Sequence, residues 1–160
     1  MDIVEYAMQM EKDGENFYRD LIQKTSNIGI KTILTMLADD EVKHYNTISR
    51  MRTAKPQMAR TTILDDAKNI FIQLRKSDEQ FDVDLEQVEL YKKAQDIETA
   101  SRNFYLEKAD QVEKQYQKQL FLRLAEEENK HYFLLDNIIE FVSRPQYWLE
   151  NAEFCHLEEY

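Results

Sequence analysis

Glu-x-x-His occurs twice in this chain, as EVKH from Glu41 to His44 and as ENKH from Glu128 to His131, 87 residues apart. The same shift carries Glu11 onto Glu98, Phe17 onto Phe104 and Tyr18 onto Tyr105. Four glutamates and two histidines divided in this way are the ligand inventory of a carboxylate-bridged two-metal site inside a four-helix bundle. Two divalent cations a few ångströms apart repel each other, and shared anionic oxygens offset that repulsion. Glu41 and Glu128 are the candidate bridges. Glu11 and Glu98 would be terminal ligands, with His44 on one metal and His131 on the other. The four glutamates, Glu11, Glu41, Glu98 and Glu128, neutralise two dications and are the candidate catalytic groups. An oxygen-rich shell with one imidazole per metal suits two iron ions or manganese, with zinc as an alternative occupant.

Such a site needs helices that hold six side chains at one depth. Ile3, Ala7, Met10, Gly14, Phe17 and Leu21 follow helical spacing, and Thr25–Gly29 reads as a turn. A second stripe runs through Ile30, Ile33, Leu34, Leu37, Glu41, His44, Ile48 and Met51, so Glu41 and His44 stand where core residues are due. The segment 53–84 is less regular and contains Pro56 and one short amphipathic helix, Asp65–Lys76, with Asp65 as its cap. A third long helix is expected from Leu85 to Asp110 and a fourth from Lys114 to Val142, each about 37 Å long. Pro145 closes the fourth, and Tyr147–Glu159 is expected to add a short terminal helix.

Residues equidistant from the turn of an antiparallel hairpin lie level with each other. Glu11 and Glu41 have their midpoint at 26, inside the first turn; Glu98 and Glu128 have theirs at 113, in the break between the third and fourth helices. Within each Glu-x-x-His the i,i+3 spacing puts both side chains on one helix face. Under the 87-residue shift, residues 3–21 and 31–51 match identically at twelve positions, polar ones included, so the chain reads as two repeated helical hairpins. The expected fold is all-α: a four-helix bundle over residues 1–143, with 53–84 as a long crossover and 144–160 as a short helical tail.

Other features are read more plainly. Phe17 and Phe104 are expected in the core. Tyr18 and Tyr105, two turns after Glu11 and Glu98 on the same face, either pack there or hydrogen-bond a ligand carboxylate. The acidic pairs Asp39–Asp40 and Glu126–Glu127 read as solvated helix-surface charge. The apolar residues Tyr147, Trp148, Leu149, Ala152, Phe154 and Leu157 are expected either to make a homodimer or to cap the bundle end.

Composition excludes several classes. Only two glycines and two prolines occur in 160 residues, which favours long uninterrupted helices. A net charge of −10 argues against nucleic acid or an anionic membrane as partner. There is no apolar run of membrane-spanning length and no signal-peptide pattern at the N-terminus. Cys155 is the sole cysteine, so an all-cysteine metal site is excluded and a cytoplasmic location is expected.

The motifs MEKDGENFY (Met10–Tyr18), LADDEVKHY (Leu37–Tyr45), DIETASRNFY (Asp96–Tyr105) and LAEEENKHY (Leu124–Tyr132) resemble those of the ferritin-like superfamily, most closely the rubrerythrin family. The resemblance covers about residues 2–142. It implies a non-haem di-iron protein of ferritin-like fold, with Glu11, Glu41, His44, Glu98, Glu128 and His131 as ligands. It further implies reduction of hydrogen peroxide or O2. With no cysteine-rich rubredoxin domain here, the electron donor is expected to be a separate small protein such as a rubredoxin. Rubrerythrins also carry an extra glutamate one turn after the third-helix ligand, where this chain has Ser101; the six-ligand set resembles that of bacterioferritin in this respect. Peroxidase, ferroxidase or iron-delivery, and substrate-oxidase functions therefore stay open.

Overall fold

The computed structural model describes residues 2–76 and 85–143. Among them are five helices: α1 (Ile3–Lys24), α2 (Ile28–Arg50), α3 (Ile63–Lys76), α4 (Leu85–Gln111) and α5 (Gln115–Ser143). The expected terminal helix at Tyr147–Glu159 lies outside the described residues. α1 and α2 form one hairpin and α4 and α5 the other, and across the hairpins α1 meets α4 and α2 meets α5. The architecture is an all-α, ferritin-like bundle with no strand among the described residues.

Local chemistry explains where the first hairpin turns. Asp2 caps α1 by accepting the Glu5 N–H at 2.8 Å. Asn27 caps α2 by accepting the Ile30 N–H at 3.0 Å. Each takes up an amide that has no partner within its helix. Thr25 folds back to close α1, its hydroxyl donating to the Leu21 carbonyl at 2.7 Å.

α3 starts at Ile63, two residues before the helix expected from the sequence. Asp65 is thus not its cap; Asp65 and Asp66 lie in the first turn, where carboxylates favour the positive end of the helix dipole. Ile63, Ala67, Phe71 and Leu74 point inward from α3 and lie against α2 and α5. Gly29 permits this approach, because a Cβ there would sit 2.8 Å from a Leu74 methyl.

The core is divided. One apolar cluster gathers Leu21, Ile33, Leu37, Phe71, Leu135 and Phe141 at one end. A second gathers Ala7, Ile48, Tyr105, Leu120, Phe121 and Leu124 at the other. Phe17 packs partly buried on the first and Phe104 on the second. Between the two clusters lies a buried polar layer.

Candidate metal centre

That layer holds all six residues of the paired motif. Glu11 comes from α1, Glu41 and His44 from α2, Glu98 from α4, and Glu128 and His131 from α5, and none is more than 3 % exposed. His44 Nδ1 lies 3.0 Å from Glu128 Oε1, 3.3 Å from Glu11 Oε2 and 3.9 Å from Glu41 Oε1. His131 Nδ1 lies 3.0 Å from Glu41 Oε1, 3.3 Å from Glu98 Oε1 and 4.0 Å from Glu128 Oε2. The two sets are near copies under the 87-residue shift. The imidazole rings stack with centroids 5.6 Å apart and planes 10° from parallel.

The ligand-type atoms fall into two groups, each within 4.8 Å: Glu11, Glu41, His44 and Glu128, and Glu41, Glu98, Glu128 and His131. Glu41 and Glu128 belong to both. The residues fit a pair of cations on a further ground. Glu98 Oε2 and Glu128 Oε2 are buried without a hydrogen-bond donor, and Glu41 Oε1 and Glu128 Oε1 each face only an imidazole nitrogen at 3.0 Å. Buried carboxylate oxygens in that state are costly unless a cation satisfies them. The donor set, mostly carboxylate oxygen with one imidazole nitrogen per group, is that of hard to borderline divalent metals.

Hydrogen bonds from the opposite hairpin hold the outer carboxylates. The Tyr18 hydroxyl on α1 donates to Glu98 Oε1 on α4, and the Tyr105 hydroxyl on α4 donates to Glu11 Oε1 on α1. Both tyrosines are buried, and burial, with Glu98 beside one and Glu11 beside the other, pushes their hydroxyls well above the usual phenol range. They therefore stay donors. Gly14 shapes the site from α1: a Cβ there would fall 2.6 Å from Glu41 Oε2, so only glycine leaves that carboxylate its present position. Its counterpart on α4 under the repeat is Ser101, also buried.

Crowding sets the protonation pattern. Burial, then the charges of Glu11 and Glu98, lifts Glu41 well above the carboxylate range. Burial, then Glu41 and Glu98, does the same to Glu128. For Glu98 burial acts upward too, but the neighbouring His131 charge and its hydrogen bonds bring the net shift downward. Burial opposes the charge on His131, yet Glu98, Asp40 and Glu41 together raise it well above the ordinary imidazole value. Four carboxylates in one dry layer cannot all ionise cheaply without a counter-charge.

Two acids depart from the expectation of solvated surface charge. Asp40 and Glu127 are buried, at 5 % and 2 % exposure, not solvated. Asp40 Oδ2 meets His131 Nε2 at 3.0 Å and accepts from Thr61 Oγ1 at 2.8 Å. Glu127 Oε1 accepts the Thr61 backbone N–H at 2.9 Å. The signal was present: the two are counterparts under the 87-residue shift, each four residues before a motif histidine and so on its face. Of the other members of the acidic pairs, Asp39 is exposed and Glu126 half-buried.

A family model described as Rubrerythrin matches residues 2–139, and the chain belongs to that family. No curated protein and no solved structure matches it significantly. Among the described residues no helix is long and apolar enough to cross a membrane.

Proposed function

We propose that this protein is a di-iron oxidoreductase of the rubrerythrin type, acting on hydrogen peroxide or O2. The observation that carries the reading is the pair of buried four-residue groups sharing Glu41 and Glu128. An iron pair held by Glu11, Glu41, His44, Glu98, Glu128 and His131 would supply two electrons, which with two protons convert one H2O2 to two waters. The chain's part is to hold that pair and to admit a small oxidant. Tyr18 and Tyr105 fix the outer carboxylates by donating to them. The apolar clusters on either side keep water from the layer along the bundle axis. Small molecules have lateral routes: a recess of about 600 Å³ reaches Glu11 and Glu41 between α1 and α2, and one of about 190 Å³ reaches Glu98 and Glu128 between α4 and α5. Re-reduction falls to an external carrier such as a rubredoxin. A homodimer is part of the proposal and is checked by light scattering.

A second reading, oxidation and delivery of Fe²⁺, is supported by two observations. The larger recess sets four carboxylates, Glu5, Glu11, Glu15 and Glu41, against Lys12 and Arg52, which pair with Glu15 and Glu5, so its lining keeps a net negative charge suited to a cation. Ser101 stands where the family's extra glutamate is expected. Stopped-flow mixing of the anaerobic, iron-loaded, reduced protein with H2O2 and separately with O2 distinguishes the two. Faster oxidation by H2O2, with no iron retained beyond two per chain, supports the peroxidase. Faster oxidation by O2 with continued iron uptake overturns it in favour of the second reading. Metal analysis should give about two ions per chain, and His44→Ala or His131→Ala should each impair one position. Full occupancy in the double variant would sink the ligand assignment.

A further inference from the structure

Each ligand histidine turns Nδ1 toward the carboxylates, so its orientation depends on what the rest of the ring meets. For His131 the answer is a relay. Nε2 lies 3.0 Å from Asp40 Oδ2, and that oxygen also accepts the Thr61 hydroxyl at 2.8 Å. Thr61 is locked in turn, because its backbone N–H donates to Glu127 Oε1 at 2.9 Å. One residue of the crossover thereby ties down both acids that the repeat makes equivalent.

A perfect two-fold would have Glu127 hold His44 as Asp40 holds His131. Among the described residues no hydrogen bond or ion pair joins Glu127 to His44. Instead His44 borders a cavity of about 420 Å³, whose wall includes Thr47, Arg50, Met58 and Thr61. The cause is topological. Two repeated hairpins need a single crossover, and a single segment can brace only one of two equivalent histidines.

We infer that Thr61 is a positioning residue: through Asp40 it fixes the His131 ring and makes the two metal positions inequivalent, so that the His131 position is preorganised and fills first. The inference rests on the metal-binding reading above. When a cation takes the Nδ1 lone pair, the one N–H left on the ring is at Nε2, and Asp40 is the acceptor it needs. Outer partners of this kind change metal affinity about 10- to 100-fold.

The test is anaerobic titration of the full chain with Co²⁺ alone, followed by calorimetry and visible absorption. Two resolved steps are expected. Thr61→Val removes the hydroxyl but keeps the N–H to Glu127; it should weaken the tighter step about tenfold or more and leave the other within about twofold. Thr61→Ser, which restores the donor, should restore both the affinity and the absorption of the first-bound ion. Should Thr61→Val not fold, Asp40→Asn is expected to act on the same step. In a His131→Ala background Thr61→Val should change nothing. Equal weakening of both steps, no weakening, or an effect that survives in the His131→Ala background overturns the inference. A wild-type chain that binds no Co²⁺ overturns the metal-binding reading itself, whereas two indistinguishable steps overturn only the role given to Thr61.

Discussion

At the scale of single residues, the site is a compromise between charge and burial, and pH is its most direct probe. Without metal, Glu41 and Glu128 keep their protons above the ordinary value of 4.5. Acids raised in this way bind more protons folded than unfolded, so the metal-free protein loses stability as pH rises from that value through the raised ones. His131 acts in the same direction: its contribution is complete below 6.5 and is lost as pH rises through its elevated folded value. Glu98 and Asp40, both lowered, act at the acid end, where their contribution is lost as pH falls through their folded values. Metal needs the ligands deprotonated, so its stabilisation should grow over the window in which the metal-free protein weakens. Thermal unfolding with and without Mn²⁺ between about pH 5 and pH 8 is expected to show the gap in midpoints widening with pH. A constant gap would count against this protonation pattern. Gly14 gives a second test. Gly14→Ala forces a methyl onto Glu41 Oε2 and should cost about 1–3 kcal/mol, with weakened metal uptake, whereas Ser101→Gly should leave uptake close to wild type. Calorimetric titration of both variants decides it.

At the scale of elements, the repeat was legible because helix pattern and ligand spacing carry the same information. Midpoints at 26 and 113 fall in the breaks between α1 and α2 and between α4 and α5. Nothing beyond local periodicity and the level pairing of hairpin positions was needed. The crossover was less legible for the opposite reason. The burial of Asp40 and Glu127 is set by Thr61, whose partners lie 21 and 66 residues away in the chain. An acidic pair on a helix looks solvated until the segment that covers it is known. α3 is nonetheless firmly seated, since Phe71 is wholly buried against Phe141, with ring centroids 5.6 Å apart. Phe71→Ala is expected to lower stability by about 3–5 kcal/mol, read from denaturant unfolding. A loss under about 1 kcal/mol would show that α3 contributes little to the bundle.

At the scale of the whole molecule, neither hairpin is self-sufficient. Each four-residue group borrows one glutamate from the other half, and each tyrosine donates across to the opposite half. The divided core has a mechanical consequence. Most bundles are hardest to open at mid-length and fray from their tips, because apolar packing is thickest in the middle. Here the greasy clusters sit toward the two ends and the mutually repelling acids sit between them, so the metal-free molecule carries a fault line across its waist. Amide hydrogen exchange should report it: without metal, backbone amides around 41–44 and 128–131 are expected to exchange faster than those around 33–37 and 135–138. With metal bound, the order should reverse. The cation pair then works as a rivet, turning the softest cross-section of the bundle into the stiffest.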